Sequence, residues 1–303
     1  MSETMVSVKK FRKRYGDTVA VKDISFDVRR GEIFALLGPN GAGKTSTLES
    51  LEGLRRPDGG SLAIDGLDPT HQRRRLRNTI GVQLQSSALP PAMTVDEAMR
   101  FFCSYHGVAV RHDLVERLGL SEKRRTQYGQ LSTGLQRRLA LAVAVAHKPA
   151  VLFLDEPTAG LDVQSRAELH AIVKELRGSG TTVILATHDM AEAEKLADRA
   201  AILLKGEIAA LGSPRQLTAA GSRKTRISVA TENDSLHQGG EEFPDASFQG
   251  WSEGYATYIS SDPGRTVSAI LARLESTEDP LVDLRVERPS LEERFLEITG
   301  GRK

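Results

Sequence analysis

The chain has 303 residues, 27% of them charged and 39% hydrophobic, which suits one large globular domain and a smaller one. A formal net charge of +1 gives no electrostatic reason to expect nucleic acid as a partner, and the single cysteine, Cys103, excludes an intrachain disulfide framework. The longest aliphatic run, Leu139 to Ala146, is far too short to cross a bilayer, and Met1-Ser2-Glu3-Thr4 lacks the pattern of a signal peptide. Any work at a membrane is therefore expected from the water side, through a partner.

Residues 5–35 alternate apolar and polar side chains in pieces broken by Gly16 and Gly31, the period of strands with one wet face. Ile33 to Leu37 is a continuous apolar run that predicts a buried strand. It leads into Gly38-Pro39-Asn40-Gly41-Ala42-Gly43-Lys44-Thr45, which fits the phosphate-binding pattern G-x-x-x-x-G-K-[ST]. Thr45 to Leu51 then predicts a helix. In this setting the glycines let backbone N–H groups curl around an anion, and the helix start adds partial positive charge. Lys44 can reach the outer phosphates and the Thr45 hydroxyl can ligate magnesium. The loop, with Ser46 following, marks a nucleoside triphosphate site. It does not say how the energy is used.

Leu62 to Ile64 and Thr79 to Leu84 predict further strands, separated by the basic run His71 to Arg77, which reads as a solvated helix face. Thr94-Val95-Asp96-Glu97 is a capping box, so a helix is expected to about Tyr105. Cys103 follows Phe101-Phe102 and is expected to be a packed core thiol. A mostly helical stretch, punctuated by Gly107, Gly119 and Gly129, runs on to Ala146. Val151 to Leu154 is a buried strand, followed by helix Val163 to Leu176, strand Thr182 to Ala186 and helix Ala191 to Ala197. Ala200 to Leu204 and Glu207 to Leu211 predict a hairpin across Lys205-Gly206. This alternation around a phosphate loop predicts a parallel α/β core, with an inserted helical subdomain over about 90–148. The boundary is placed at 220. Residues 221–303 form an expected α+β accessory domain, with strands at Arg226 to Ala230, Ala256 to Ile259 and Leu281 to Val286, and helices at Thr266 to Leu274 and Ser290 to Thr299.

The strand Val151 to Leu154 ends in Asp155-Glu156. A carboxylate there can hold magnesium, and the next can polarise a water attacking the γ-phosphate. Further on stand Leu131-Ser132-Thr133-Gly134-Leu135-Gln136-Arg137-Arg138, Leu154-Asp155-Glu156-Pro157-Thr158-Ala159-Gly160-Leu161-Asp162 and Thr187-His188-Asp189. These resemble the signature, Walker B, D-loop and H-loop motifs of ATP-binding-cassette (ABC) transporter ATPases. Gln85 is similar to the Q-loop glutamine and Tyr15 matches the aromatic A-loop position. The resemblance covers about residues 5–215. It implies an α/β phosphate-loop NTPase fold: a mixed sheet with flanking helices, an antiparallel β subdomain and the helical insertion.

The resemblance also implies ATP and Mg2+ as cofactors, two cassettes paired head to tail, and a separate membrane permease whose helix enters a groove bordered by the Gln85 loop. It places Tyr15 on adenine, Ser132, Thr133, Gly134 and Leu135 against the partner's ATP, and Asp162 at the dimer seam. Thr45, Gln85 and Asp155 fall near magnesium, with Glu156, His188 and Gln85 as the hydrolytic set. The plainer roles of Ser132 and Asp162 are as helix N-caps, compatible with those functions.

The signature usually reads Leu-Ser-Gly-Gly-Gln, so Thr133 adds a Cβ and a hydroxyl where phosphate approaches, and Leu135 loses an amide. An active but slower site follows, or a heterodimer in which this signature faces one weak site. Pro289 to Gly300 looks like the C-terminus of bacterial daunorubicin-resistance-type exporter ATPases, as does Thr187 to Glu194. Its Leu291, Phe295 and Ile298 stripe suits core packing or a dimer contact. Rival classes fit less well. Translation-type cassettes carry two cassettes per chain, and repair-type cassettes part the loop and Walker B by a long coiled coil. Here Asp155 lies only 111 positions after Lys44. The expected whole is the peripheral ATPase of an exporter on the cytoplasmic face of the membrane, moving a drug or other lipid-like cargo.

Overall fold

The computed structural model describes residues 3–84, 89–219, 225–238 and 242–300, and divides the chain into units Met1–Pro214 and Arg215–Lys303. The first unit opens with β1 (Thr4–Tyr15) and β2 (Thr18–Arg29), an antiparallel hairpin turning at Gly16-Asp17. Val6, Val8 and Phe11 of β1 pack inward with Val21, Ile24, Phe26 and Val28 of β2, as their alternation predicts.

β3 (Ile33–Leu37) follows, then α1 (Lys44–Leu51), β4 (Gly59–Ile64), α2 (Arg73–Thr79) and β5 (Ile80–Gln83). The helical insertion carries α3 (Val95–Tyr105), α4 (His112–Arg117) and α5 (Thr133–Val145). Both halves of the Thr94/Glu97 capping box form, and Cys103 is fully buried in the helical core. β6 (Val151–Asp155), α6 (Val163–Gly178), β7 (Thr182–Thr187), α7 (Met190–Leu196), β8 (Arg199–Leu204) and β9 (Glu207–Gly212) complete the core.

Two sheets result. β2-β1-β4 is antiparallel, and β5-β6-β7-β3-β8-β9 is mixed, parallel except for the β8–β9 hairpin. Every residue of β3, β6 and β7 is buried, because their sequences, apolar except for Asp155, Thr182 and Thr187 at strand ends, are covered on both faces. β3 sits between β7 and β8, so the loop leaving its C-terminal end lies beside the ends of β6 and β7. That arrangement gathers the polar residues following three core strands at one edge.

The second unit contains α8 (Pro214–Ala219), β10 (Thr225–Thr231), β11 (Ala246–Ser252), β12 (Tyr255–Ser260), α9 (Pro263–Thr277), β13 (Leu281–Glu287) and α10 (Leu291–Thr299). Its sheet runs β11-β12-β10-β13, all antiparallel, over a core of Ile227, Val229, Tyr258, Ile270 and Leu274. The Ser290/Glu293 capping box forms at α10, where Leu291 is buried and Phe295 and Ile298 are half-buried. Strand β11 is absent from the expected elements. Its mostly polar sequence and Gly250 give only a weak strand pattern.

Candidate functional site

The phosphate loop wraps the start of α1 and forms a cavity of about 330 Å³ with Tyr15, Thr18 and Ala20 on one side and Asp155 and Glu156 on the other. Two glycines are dictated by close approach. A Cβ on Gly38 would overlap the Leu203 carbonyl oxygen, and one on Gly43, at φ +104°, would stand 2.7 Å from the Ala20 oxygen. Lys44 is buried and donates to the Gly38 oxygen at 2.7 Å and the Pro39 oxygen at 3.3 Å. Thr45 is exposed at the helix start, and the Tyr15 hydroxyl donates to Ser46 Oγ at 3.3 Å. The Tyr15 ring stands at the rim with Lys13 Nζ 5.2 Å and Arg55 Cζ 5.7 Å from its centroid, a cation-rich platform for a π system.

The acidic wall is strained and tightly held. Glu156 has a left-handed φ of +47°, uncommon for a residue with a side chain. Its N–H donates to the Ala186 oxygen at 2.9 Å, which fixes it beside the end of β7. Its carboxylate accepts from the His188 N–H at 3.1 Å, faces His188 Nδ1 at 2.8 Å and accepts from Thr187 Oγ1 at 3.4 Å. Lys44 Nζ stands 3.9 Å away.

Burial pushes the Asp155 carboxyl up, helped by the charge of Glu156 and opposed by Lys44. Burial pushes the Lys44 ammonium down, opposed by Glu156 and Asp155. The pocket thus holds a buried cation and two carboxylates around a space sized for phosphates, where low dielectric magnifies each charge.

Ser132, Thr133, Gly134, Leu135 and Asp162 do not line this cavity. Ser132 caps α5, accepting from the Leu135 N–H at 3.3 Å, and Asp162 caps α6, accepting from the Ser165 N–H at 2.9 Å. The two helix starts abut, since a Cβ on Gly134 would lie 3.0 Å from Ser165 Oγ. Leu135 is half-buried against the helical core and Thr133 is exposed. Gln85 lies outside the described residues. Arg137, quoted in the signature but given no role from the sequence, donates to the Leu84 oxygen at 3.2 Å and helps hold Asp155 ionised.

A second concavity of about 790 Å³ lies under α2 and α3, lined among others by Glu52, Leu54, Leu84, Phe102 and His147. The basic run of α2 borders it through Arg73, Arg74 and Arg77, and Arg77 bonds the Tyr105 hydroxyl. On its floor Glu52 is buried, and its Oε2 has no partner among the described residues. Burial first, then the charges of Asp155 and Glu49, push this carboxyl up to about 8.

The folded state therefore keeps a proton that the unfolded chain surrenders above about 4.5, and stability falls as pH rises from about 4.5 to about 8. Glu52→Gln removes this loss. Its stability relative to the native chain should be unchanged near pH 4 and greater by on the order of 3 kcal/mol at pH 8, read from denaturant melts. An equal difference at both pH values would contradict the assignment.

The comparisons with known proteins agree with this geometry. A family model described as ABC transporter matches residues 21–159. The sequence is 33% identical to the linearmycin resistance ATP-binding protein LnrL of Bacillus subtilis, over 98% of each chain. It is 34% identical to the daunorubicin resistance ATP-binding protein DrrA3 of Streptomyces coeruleorubidus, over 99% of this chain and 97% of the other. A solved ATP-binding subunit of an ABC transporter is 26% identical and superimposes with a TM-score of 0.66, covering 71% of this chain and 92% of that one. With the phosphate loop, acidic wall and capped signature helix in place, the chain belongs to the ABC transporter family, as one of its ATP-binding and ATP-hydrolysing proteins.

Proposed function

We propose that this chain is the ATPase subunit of an exporter. Two cassettes close head to tail over ATP, and a separate permease carries the cargo through the membrane. The observation that carries the reading is the Glu156 carboxylate, held by His188 and Thr187 at the wall of the phosphate cavity beside Lys44. Glu156 acts as the base that takes a proton from the attacking water, and His188 orients it and meets the γ-phosphate. Tyr15 stacks on adenine, and residues Gly38 to Ser46 cradle the phosphates through backbone N–H groups, Lys44 and hydroxyls.

Magnesium fits the donor set. The Thr45 hydroxyl and Asp155, with Gln85, are hard ligands for an ion that otherwise binds phosphate oxygens and water. Bound there with ATP, the ion would neutralise charge on the phosphates during hydrolysis.

Ser132 to Leu135 and Asp162, outside the cavity of their own chain, serve the ATP held by the other cassette. Among the described residues no helix is long and apolar enough to cross a membrane. The concavity bordered by α2 and α3 accepts a cytoplasmic segment of the permease and keeps the ATPase at the inner face of the membrane. The full-length likeness to two resistance proteins supports export of a drug or other lipid-like cargo. Inverted vesicles holding this chain and its membrane permease should accumulate a hydrophobic fluorescent dye only with ATP. Accumulation that survives Glu156→Gln rejects the reading.

A heterodimer with an intact relative is a second reading, favoured by Thr133 and Leu135 in the signature. Leu135 packs inward, where a glutamine amide would face apolar neighbours, while its N–H remains on Ser132. Restoring the family glycine with Thr133→Gly, at the exposed helix start, should raise kcat in the homodimer by about three- to tenfold. An unchanged kcat, measured by phosphate release, would show that this position does not limit the rate.

A further inference from the structure

We propose that β13 is a self-pairing edge through which the second units of two copies join into one continuous sheet, independently of ATP. This goes beyond the ATP-clamped pair, because β13 belongs to the other unit.

The two edges of the β11-β12-β10-β13 sheet differ. β11 is interrupted by a register shift between Phe248 and Gly250, with Gly250 at φ +145°, an irregularity that spoils an edge for pairing. β13 is in register with β10 from Arg226↔Glu287 to Ala230↔Asp283, and its one register shift falls at the start of the strand, at Val282, between Ala230↔Asp283 and Thr231↔Leu281. Its other side pairs with nothing among the described residues. It contains no lysine or proline, and of its charges Asp283 and Arg285 are of opposite sign, so a second copy can neutralise them.

Its apolar side chains are left largely uncovered. Leu281 is 41% exposed, Val282 63% and Val286 49%, while Leu284 between them reaches the core of the unit. Leu284 and Val286 share one face and Asp283 and Arg285 the other, with Val282 at the register shift that opens the strand.

The occupant follows from the order of the residues. Val282-Asp283-Leu284-Arg285-Val286 is self-complementary when run antiparallel against itself about Leu284. Val282 then faces the partner's Val286, Leu284 faces the partner's Leu284, and Asp283 faces the partner's Arg285, each hetero pair formed twice by the two-fold. In the single chain Arg285 Nε donates to Asp283 Oδ2 at 2.8 Å and its Nη2 to the Tyr255 hydroxyl at 2.6 Å, with the guanidinium 4.4 Å from the Tyr255 ring centroid. These contacts hold both charges at the strand, where the partner's pair can share them without stranding either. A register slip by one residue would turn the valines to opposite faces and set the charged side chains against apolar ones, and a slip by two would set Asp283 against Asp283 or Arg285 against Arg285, so the pairing is specified.

The test is sedimentation equilibrium of the full chain without nucleotide or magnesium. The native chain should dimerise with a dissociation constant in the micromolar range. Asp283→Arg, which sets arginine against arginine, and Arg285→Asp, which sets aspartate against aspartate, should each weaken pairing by at least about tenfold. An equimolar mixture of these two variants places opposite charges across the seam again and should recover pairing to within about threefold of native. Val286→Lys, at an exposed position, should also abolish pairing and serves if a charge swap does not fold.

A native chain that remains monomeric to about 0.1 mM overturns the proposal. Variants that pair as tightly as native, or a mixture that fails to recover, overturn it equally. Since no nucleotide is present, failure here leaves the ATP-clamped pair standing, and failure of that pair leaves this result standing.

Discussion

Glu156→Gln should lower ATP hydrolysis by at least about a hundredfold while ATP still binds. The substitution keeps the length and shape of the side chain, so the amide oxygen can still accept from the His188 N–H, the amide nitrogen takes the other place and can donate to the Thr187 hydroxyl oxygen, and the left-handed backbone at 156 stays anchored to Ala186. What disappears is a group able to take a proton from water. Removing the negative charge also leaves Lys44 facing Asp155 alone, which does not weaken attraction for a polyanion. Binding measured by a fluorescent ATP analogue should stay near native, and single-turnover phosphate release should collapse. Near-native turnover would remove Glu156 from the role of base and move attention to His188.

Lys44→Ala should have the complementary effect, a loss of ATP affinity of at least about thirtyfold, with hydrolysis falling because little ATP is bound. The ammonium is buried, with the Gly38 and Pro39 carbonyls and Glu156 around it. Part of its solvation is already lost, since burial holds its protonation below the ordinary lysine range. A triphosphate entering the cavity meets a cation that is desolvated and aimed, the condition under which a charge-assisted bond is strong. Titration calorimetry gives the affinity. A dissociation constant within threefold of native, on the order of the scatter of such comparisons, would mean that the loop N–H groups hold the nucleotide without Lys44.

Much of this architecture is legible in the chain because it is local. The Thr94/Glu97 and Ser290/Glu293 capping boxes each need four consecutive residues, and both form. Ile33 to Leu37, Val151 to Leu154 and Thr182 to Ala186 are apolar at every residue or nearly so, a pattern that survives only in strands covered on both faces. Strand β11 escapes because its half-exposed alternation is carried by Ala, Phe, Gly and Ser, and its place at a sheet edge demands little of the sequence.

The site is legible as a set of residue types and not as a geometry. The bond between Glu156 and His188 crosses 32 positions and depends on the parallel neighbours β6 and β7 ending together. Nothing in Asp155-Glu156 announces a left-handed φ. The raised Glu52 carboxyl is equally hidden, because α1 reads as an ordinary continuation of the phosphate loop, and nothing local says that the residue capping its C-terminal end is buried.

The central claim is that ATP itself closes two cassettes on each other. The most direct measurement is the sedimentation mass of the Glu156→Gln chain with ATP and magnesium against ADP and magnesium, made in the Asp283→Arg background so that the β13 edge is silent. The account predicts twice the monomer mass with ATP and the monomer mass with ADP. A single mass under both nucleotides would contradict it.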